Sequence, residues 1–458
     1  MECNDFRDYL DNLEKQGMLL KVTKEVSPRF EVAAGVYKTG TIGGPALLFE
    51  NIKGHPGWRV AGGLFISPKL VSFALQAEDG KQIQRYLDIE HQRVKPVTVS
   101  SGPVKEIIIK GDDIDLGKIP FLTYCQEDEL PYHHAGIQIA KHPVTGIQNA
   151  SIHRMAILDK NTIGLGANPK GHLGLMIEEA EKQGKGLEIA TVIGAHPALT
   201  IPGGGRMAPA GVDEIEIAGA LRGKPFEIVK CETIDVLVPA DAEVIIEGVL
   251  LPGERVIEGT WGGERGNYIL LSPWYKAMSG GKLVKEIYVL KVTAITMRQN
   301  PVYVAMTTGM APAEDKFTEK WHIASDIYQL LSGIVPVPED IRDINVTLGT
   351  HVVIAIHKRD ESTPRNIIYA VLATLKIIKR VVVVDEDINV NDPVDIDWAM
   401  LSRVSPEQDI IIIPSPDVLP TLGKWGIDAT APATRDNFGE RLLYEKAVPP
   451  DVDEVDYI

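Results

Sequence analysis

The sequence predicts a multidomain protein of mixed α/β and α+β class. A central strand-rich domain is flanked by a small N-terminal α/β unit and a C-terminal α/β domain. Three observations support this. The chain has 458 residues, more than one hydrophobic core organises. Strand-like apolar runs punctuated by Gly and Pro dominate residues 104–312. On either side, apolar spacing alternates between strand and helix periods.

Phe6, Tyr9, Leu10 and Leu13 stand at helical spacing, so residues 6–16 are expected to be a helix. Residues 19–26 and 45–52 read as strands, and 69–77 and 80–91 as helices; together they form a unit over 1–103. In the domain 104–312, strands are expected at 106–110, 136–140, 150–158, 188–193, 243–250 and 287–296, with helices at 172–183 and 214–222. Mostly antiparallel strands with few helices imply a barrel or a strongly curved sheet. In the domain 313–447, helices at 319–331 and 364–378 alternate with strands at 352–357, 380–385 and 409–413, a pattern of parallel strands covered by helices. Residues 448–458 are Pro- and acid-rich and are expected to be a disordered tail.

Lys plus Arg number 47 and Asp plus Glu 63, a net charge of −16. That balance disfavours nucleic acid and anionic membranes as partners, while a local basic pocket can still take an anionic substrate. Three scattered cysteines form no CxxC pair and support neither a zinc ribbon nor a disulfide framework. The N-terminus lacks an apolar signal core, and the apolar run 367–375 is closed by Lys376 well short of a span. A cytoplasmic protein with no membrane span is expected.

Arg154 ends the segment Asn149-Ala150-Ser151-Ile152-His153-Arg154, in an apolar, strand-like context. Such an arginine must be paired, and a structural ion pair is the plain alternative to a functional role. Period-two alternation places Asn149 and Arg154 on opposite faces of a straight strand; serving one site needs a bulge or a strand end. Glu258 and Glu264 bracket Gly259, Trp261, Gly262 and Gly263. Loop glutamates are usually solvated, yet a Gly-rich loop with aromatics can line a pocket. Two acids around an arginine can divide ionised and protonated roles.

Asn149, His172 and Glu214 suit Mn²⁺ or Mg²⁺ by ligand chemistry, although no local spacing joins them. Asp213 reads as a helix N-cap, which makes Glu214 an ordinary first-turn acid in the alternative account. Gly203-Gly204-Gly205, ahead of Arg206 and Met207, can present backbone N–H groups to a phosphate or form a plain flexible loop. His133 and His134 face opposite ways and do not share a metal. Lys424 passes as a surface lysine.

In this order, the segments resemble the UbiD family of prenylated-FMN-dependent decarboxylases. The match runs from Asn149–Arg154 through His172, Glu214 with Ala218-Gly219-Ala220, and Glu258-Gly259 to Glu264, as far as Lys424. The two acids stand one residue further apart than is usual in that family. The resemblance implies a central split β-barrel like that of flavin reductases. It implies that Asn149, His172 and Glu214 bind Mn²⁺ or Mg²⁺, which holds the cofactor phosphate, with K⁺ nearby. Arg154, Glu258 and Glu264 become the catalytic network. Ser151, Ile152, His153, Arg154, Met207 and Lys424 contact the flavin. The implied reaction is reversible, non-oxidative decarboxylation of an aromatic, heteroaromatic or α,β-unsaturated acid through a covalent adduct with prenylated FMN. CO₂, a UbiX-like flavin prenyltransferase and a homo-oligomer, dimer or hexamer, are the implied partners. An aromatic or heteroaromatic acid is favoured over an unsaturated phosphomevalonate derivative. Trp261, Tyr268, Trp274, Met310, Trp321 and His322 are candidate pocket walls, and Arg265 and Arg298 candidate anion contacts. A flavin reductase using ordinary FMN and a non-catalytic subunit of a carboxylase complex remain as alternatives.

Overall fold

The computed structural model describes residues 3–78, 80–205, 208–258, 286–309, 313–335, 337–347, 349–375, 377–414 and 423–432. Two compact units divide the chain, Met1–Ser325 and Asp326–Ile458.

In the first unit, Asp5 caps the helix Phe6–Lys15 by accepting the Asp8 N–H, and the expected apolar stripe is buried. A four-stranded sheet follows in the order Leu19–Val22, Ala46–Phe49, Arg59–Gly62 and Val302–Ala305. Its fourth strand is contributed from near the far end of the segment 104–312, so these N-terminal elements are not complete by residue 103. The helix Glu31–Thr41 was not expected, because Gly35 and Gly40 interrupt its apolar pattern. Gly35 is there for packing: a Cβ would stand 3.0 Å from Cζ of Phe49.

The central sheet has nine strands. They are β1 (Ile107–Lys110), β2 (Tyr132–His133), β3 (Ile137–Lys141), β4 (Gln148–Ile152), β5 (Arg154–Asp159), β6 (Thr162–Gly166), β7 (Leu187–Ile193), β8 (Val244–Ile257) and β9 (Glu286–Met297). Their order is β2-β5-β6-β9-β8-β7-β3-β4, with β1 on β9, and every pairing is antiparallel. The expected single strand over 150–158 is in fact two, broken at His153. The break matters because β4 and β5 lie six positions apart in the sheet. In a flat sheet that is roughly 29 Å, yet one residue joins them. The sheet must therefore curl until β4 meets β5, although no hydrogen-bonded ladder between them closes it among the described residues. Three helices cover β4: α1 (His172–Lys182), α2 (Pro197–Gly204) and α3 (Glu214–Arg222).

The second unit holds a five-stranded sheet in the order Ile341–Thr347, His351–Ile356, Arg380–Asp385, Lys424–Ala429 and Ile410–Ile413. The three inner strands are parallel and the two edge strands antiparallel. Val381 to Val384 are fully buried, as a strand covered on both faces requires. No described helix is long and apolar enough to cross a membrane.

Candidate active site

The break at His153 organises the site. The His153 N–H donates to Oε1 of Gln138, a wholly buried side chain on β3, at 2.8 Å. That bond satisfies the amide released when the strand ends. The break also resolves the alternation problem, because Asn149 and Arg154 belong to different strands. Asn149 Nδ2 donates to Ser151 Oγ at 3.0 Å, and that hydroxyl lies 3.0 Å from His153 Nε2. These alternate residues share one face. Ser151, Ile152, His153 and Arg154 are all half-buried, a partly open patch between buried strands.

Arg154 forks onto Glu258. Its Nε donates to Oε1 and its Nη2 to Oε2, both at 2.6 Å. Glu258 follows the end of β8 and is 2% exposed, so it is not the solvated loop glutamate of the plain alternative. Two parallel charge-assisted bonds hold the guanidinium in one plane. Around the fork the histidines are neutral. Desolvation first, and the Arg154 charge second, push His153 down to about 4. Burial likewise pushes His134 to about 3, against its bond to the Met306 carbonyl. His133 bonds Tyr303 and His134 stacks on Tyr124, so the two rings do point apart.

At the other end of the stretch lies a buried acid. Glu214, in the first turn of α3, accepts the Ala150 N–H through Oε2 at 2.6 Å and is 4% exposed. Asp213 caps the same helix by accepting from the Ile215 N–H. Burial pushes Glu214 up to about 8, opposed by the Ala150 bond, and Asp213 up to about 6. No cation among the described residues pairs with either carboxylate. A buried acid without a countercharge, next to a half-buried one, fits a divalent cation. Asn149, its Nδ2 committed to Ser151, keeps Oδ1 as an acceptor one residue before Ala150. His172 opens α1 and is exposed, and α1 packs on the same strand as α3. Among the described residues no three His, Cys, Asp or Glu side chains would hold a metal by themselves. A cation here would draw on the Asn149 amide and on oxygens of a ligand.

The glycine run is not a loop leading into a helix. Gly203 and Gly204 form the last turn of α2, and Gly205 is its C-cap. Gly204 and Gly205 are small because neighbours crowd them: a Cβ on Gly204 would meet Ile152 Cδ1 at 3.3 Å, and one on Gly205 the Tyr86 hydroxyl at 2.6 Å. Tyr86, fully buried on the helix Gln82–Glu90, was missed in the sequence; only its helical spacing marked it, as core. His322 and Trp321 are buried on the helix Glu314–Ser332, and His322 lies beside Gly205 and Tyr86. Arg298 is committed elsewhere, to Asp5 Oδ2 at 2.8 Å and Glu243 at 3.5 Å, and is no substrate contact here. Lys424 is not a free surface lysine. Within the second unit its ammonium donates to the carbonyls of Leu372 and Leu375, at the end of the helix Thr363–Thr374. Glu264, Met207, Trp261, Arg265, Tyr268, Trp274 and Met310 lie outside the described residues.

Three family models cover the chain: the N-terminal domain of 3-octaprenyl-4-hydroxybenzoate carboxy-lyase over residues 10–89, its Rift-related domain over 95–311 and its C-terminal domain over 319–429. An evolved dimeric form of the UbiD-class enzyme HmfF from Pelotomaculum thermopropionicum, in complex with prFMN, superposes with a TM-score of 0.86 at 34% identity, covering 100% of both chains. The apo 3,4-dihydroxybenzoic acid decarboxylase AroY of Klebsiella pneumoniae gives a TM-score of 0.85 at 26% identity over 99% of each chain. The anhydromevalonate phosphate decarboxylase of Methanosarcina mazei is 30% identical over 97% of this chain and 99% of its own.

Proposed function

We propose, because this chain belongs to the UbiD family of carboxy-lyases, that it decarboxylates an aromatic, heteroaromatic or α,β-unsaturated acid with prenylated FMN, reversibly. The observation that carries this reading is the placement of two unlike features on one stretch. The buried Glu214 carboxylate meets the chain at Ala150 and the guanidinium fork leaves it at Arg154. Four residues of extended chain span at most roughly 13 Å. A cofactor with a phosphate at one end and a reactive ring at the other suits that separation.

In this proposal Asn149, His172 and Glu214 hold Mn²⁺ or Mg²⁺ against the phosphate, with K⁺ nearby. Ser151, Ile152, His153 and Met207 line the flavin, and the curled sheet within residues 104–312 is its split barrel. The bound cofactor supplies the electron sink for loss of CO₂. Arg154 orients the substrate carboxylate and couples Glu258 to Glu264. Glu264 delivers a proton to the carbon that has lost CO₂. A UbiX-like prenyltransferase supplies the cofactor, and the chain works as a homo-oligomer.

The test is co-expression with a flavin prenyltransferase. Bound prenylated FMN, identified by mass and absorbance, with CO₂ release from a panel of aromatic acids and anhydromevalonate phosphate, supports the proposal. Plain FMN reduced by a nicotinamide donor, without CO₂ release from any acid, would replace it with a flavin reductase. The metal end has its own test. Glu214→Ala is expected to lose both metal and flavin while the fold survives, and Mn²⁺ is expected to raise the Tm of the parent only. Full flavin content in the variant would sink this metal assignment. Lower stability with unchanged flavin would leave Glu214 as a first-turn helix acid.

A further inference from the structure

We propose that Gly166 is a positioning residue for the Arg154–Glu258 fork, and that the reaction proposed above depends on its lack of a side chain. The inference rests on that proposal for its catalytic half only. Arg154 and Gly166 are direct cross-strand partners at the ends of β5 and β6. Side chains of such partners share one face of the sheet and crowd each other. A Cβ on Gly166 would stand 2.8 Å from Arg154 Cζ, 2.9 Å from Cγ and 3.0 Å from Nε. Ordinary carbon contacts lie at about 3.5–4.0 Å. The arginine therefore lies flat across the bare backbone of Gly166 for most of its length.

The path follows from the sheet order. Beyond β5 the strands run β6, β9, β8, and Glu258 directly follows β8. To reach that acid, Arg154 has to cross its neighbour strand, at Gly166. Its guanidinium cannot slide aside, because Glu258 holds both Nε and Nη2 at 2.6 Å. With Cγ among the crowded atoms, a methyl group at 166 lifts the whole side chain, and restoring ordinary carbon contact takes a lift of about 0.6–1.2 Å, which carries bonds now at 2.6 Å to or past the usual limit of about 3.2 Å.

Among the described residues no other demand explains the glycine. Its φ is not positive, so any residue can adopt the backbone. It is half-exposed, so no tight core excludes a methyl. The three nearest atoms to the added Cβ all belong to Arg154.

The experiment is a cycle of Gly166→Ala, Arg154→Ala and the double variant, read by Tm without cofactor and by CO₂ release after cofactor loading. Gly166→Ala is expected to lower Tm in the parent and to leave it unchanged or raise it in the Arg154→Ala background. There the clash is gone, and alanine at a permitted φ restricts only the unfolded chain. Turnover of Gly166→Ala is expected to fall at least about 100-fold, with KM changed less than kcat, as for a misplaced catalytic group. Equal Tm shifts in both backgrounds would overturn the steric claim. Parent-like turnover by Gly166→Ala, with Arg154→Ala inactive, would overturn the positioning role alone. Parent-like turnover by Arg154→Ala would overturn the proposed function, and with it the catalytic half of this inference.

Discussion

Arg154→Lys is expected to be nearly inactive, losing at least about 100-fold in turnover, although the charge is kept. The parent guanidinium gives Nε to one Glu258 oxygen and Nη2 to the other, both at 2.6 Å. A lysine ammonium is a point donor on a different stem and cannot reproduce two parallel bonds from one plane. The fork also sits where a wrong answer is expensive. Glu258 is 2% exposed, and stripping a buried charge of its partner costs about 3–5 kcal/mol. Lysine keeps part of that pairing, so the variant should fold, and its failure should be chemical. The decisive assay is solvent-deuterium incorporation into decarboxylated product, followed by NMR. Proton exchange needs only the donor network and the cofactor, without net loss of CO₂. Exchange at the parent rate would make Arg154 a structural ion-pair residue and would end its catalytic assignment.

How far the sequence was legible depends on which residues carried local information. The helix Phe6–Lys15 was readable because its stripe is local. So was the strand Arg380–Asp385, whose four consecutive buried valines announce a strand covered on both faces. The site residues were legible as an ordered set, and as chemistry, but not as geometry. Alternation set Asn149 against Arg154, and no local signal marked His153 as the break. The signal was Gln138 on another strand, whose amide oxygen takes the orphaned His153 N–H. Gly166 was hidden for a similar reason. Counting back from the turn at residues 160–161 pairs Asp159 with Thr162 and would place Arg154 opposite Ala167. A register shift between Thr162 and Ile163 moves the partner to Gly166. Lys424 read as a surface residue because its partners, the carbonyls of Leu372 and Leu375, stand about fifty positions away in the chain. The glycines 203–205 read as a loop because glycine disfavours helix interiors. Packing against Ile152 and Tyr86 overrides that preference at the end of α2.

The same geometry divides the two acids. Both oxygens of Glu258 accept bonds from Arg154, which leaves neither free to pass a proton to a substrate. Delivery then falls to Glu264, and Glu264→Gln is expected to abolish turnover, by about 100-fold or more, while flavin content and Tm stay at parent values. Glutamine keeps the shape of the acid but has no acidic proton to give. The matched variant, Glu258→Gln, should fail differently. Its amide would turn an N–H donor toward a guanidinium that has only donors, so one arm of the fork opens in a buried setting. Tm should fall with activity there, whereas only activity falls at 264. Flavin absorbance, thermal melting and single-turnover product analysis on the two variants separate these outcomes. Retained turnover in Glu264→Gln, beside an inactive but thermally unchanged Glu258→Gln, would transfer the proton to Glu258. The fork would then have to open during the reaction, so that Arg154 is a gate rather than a fixed clamp.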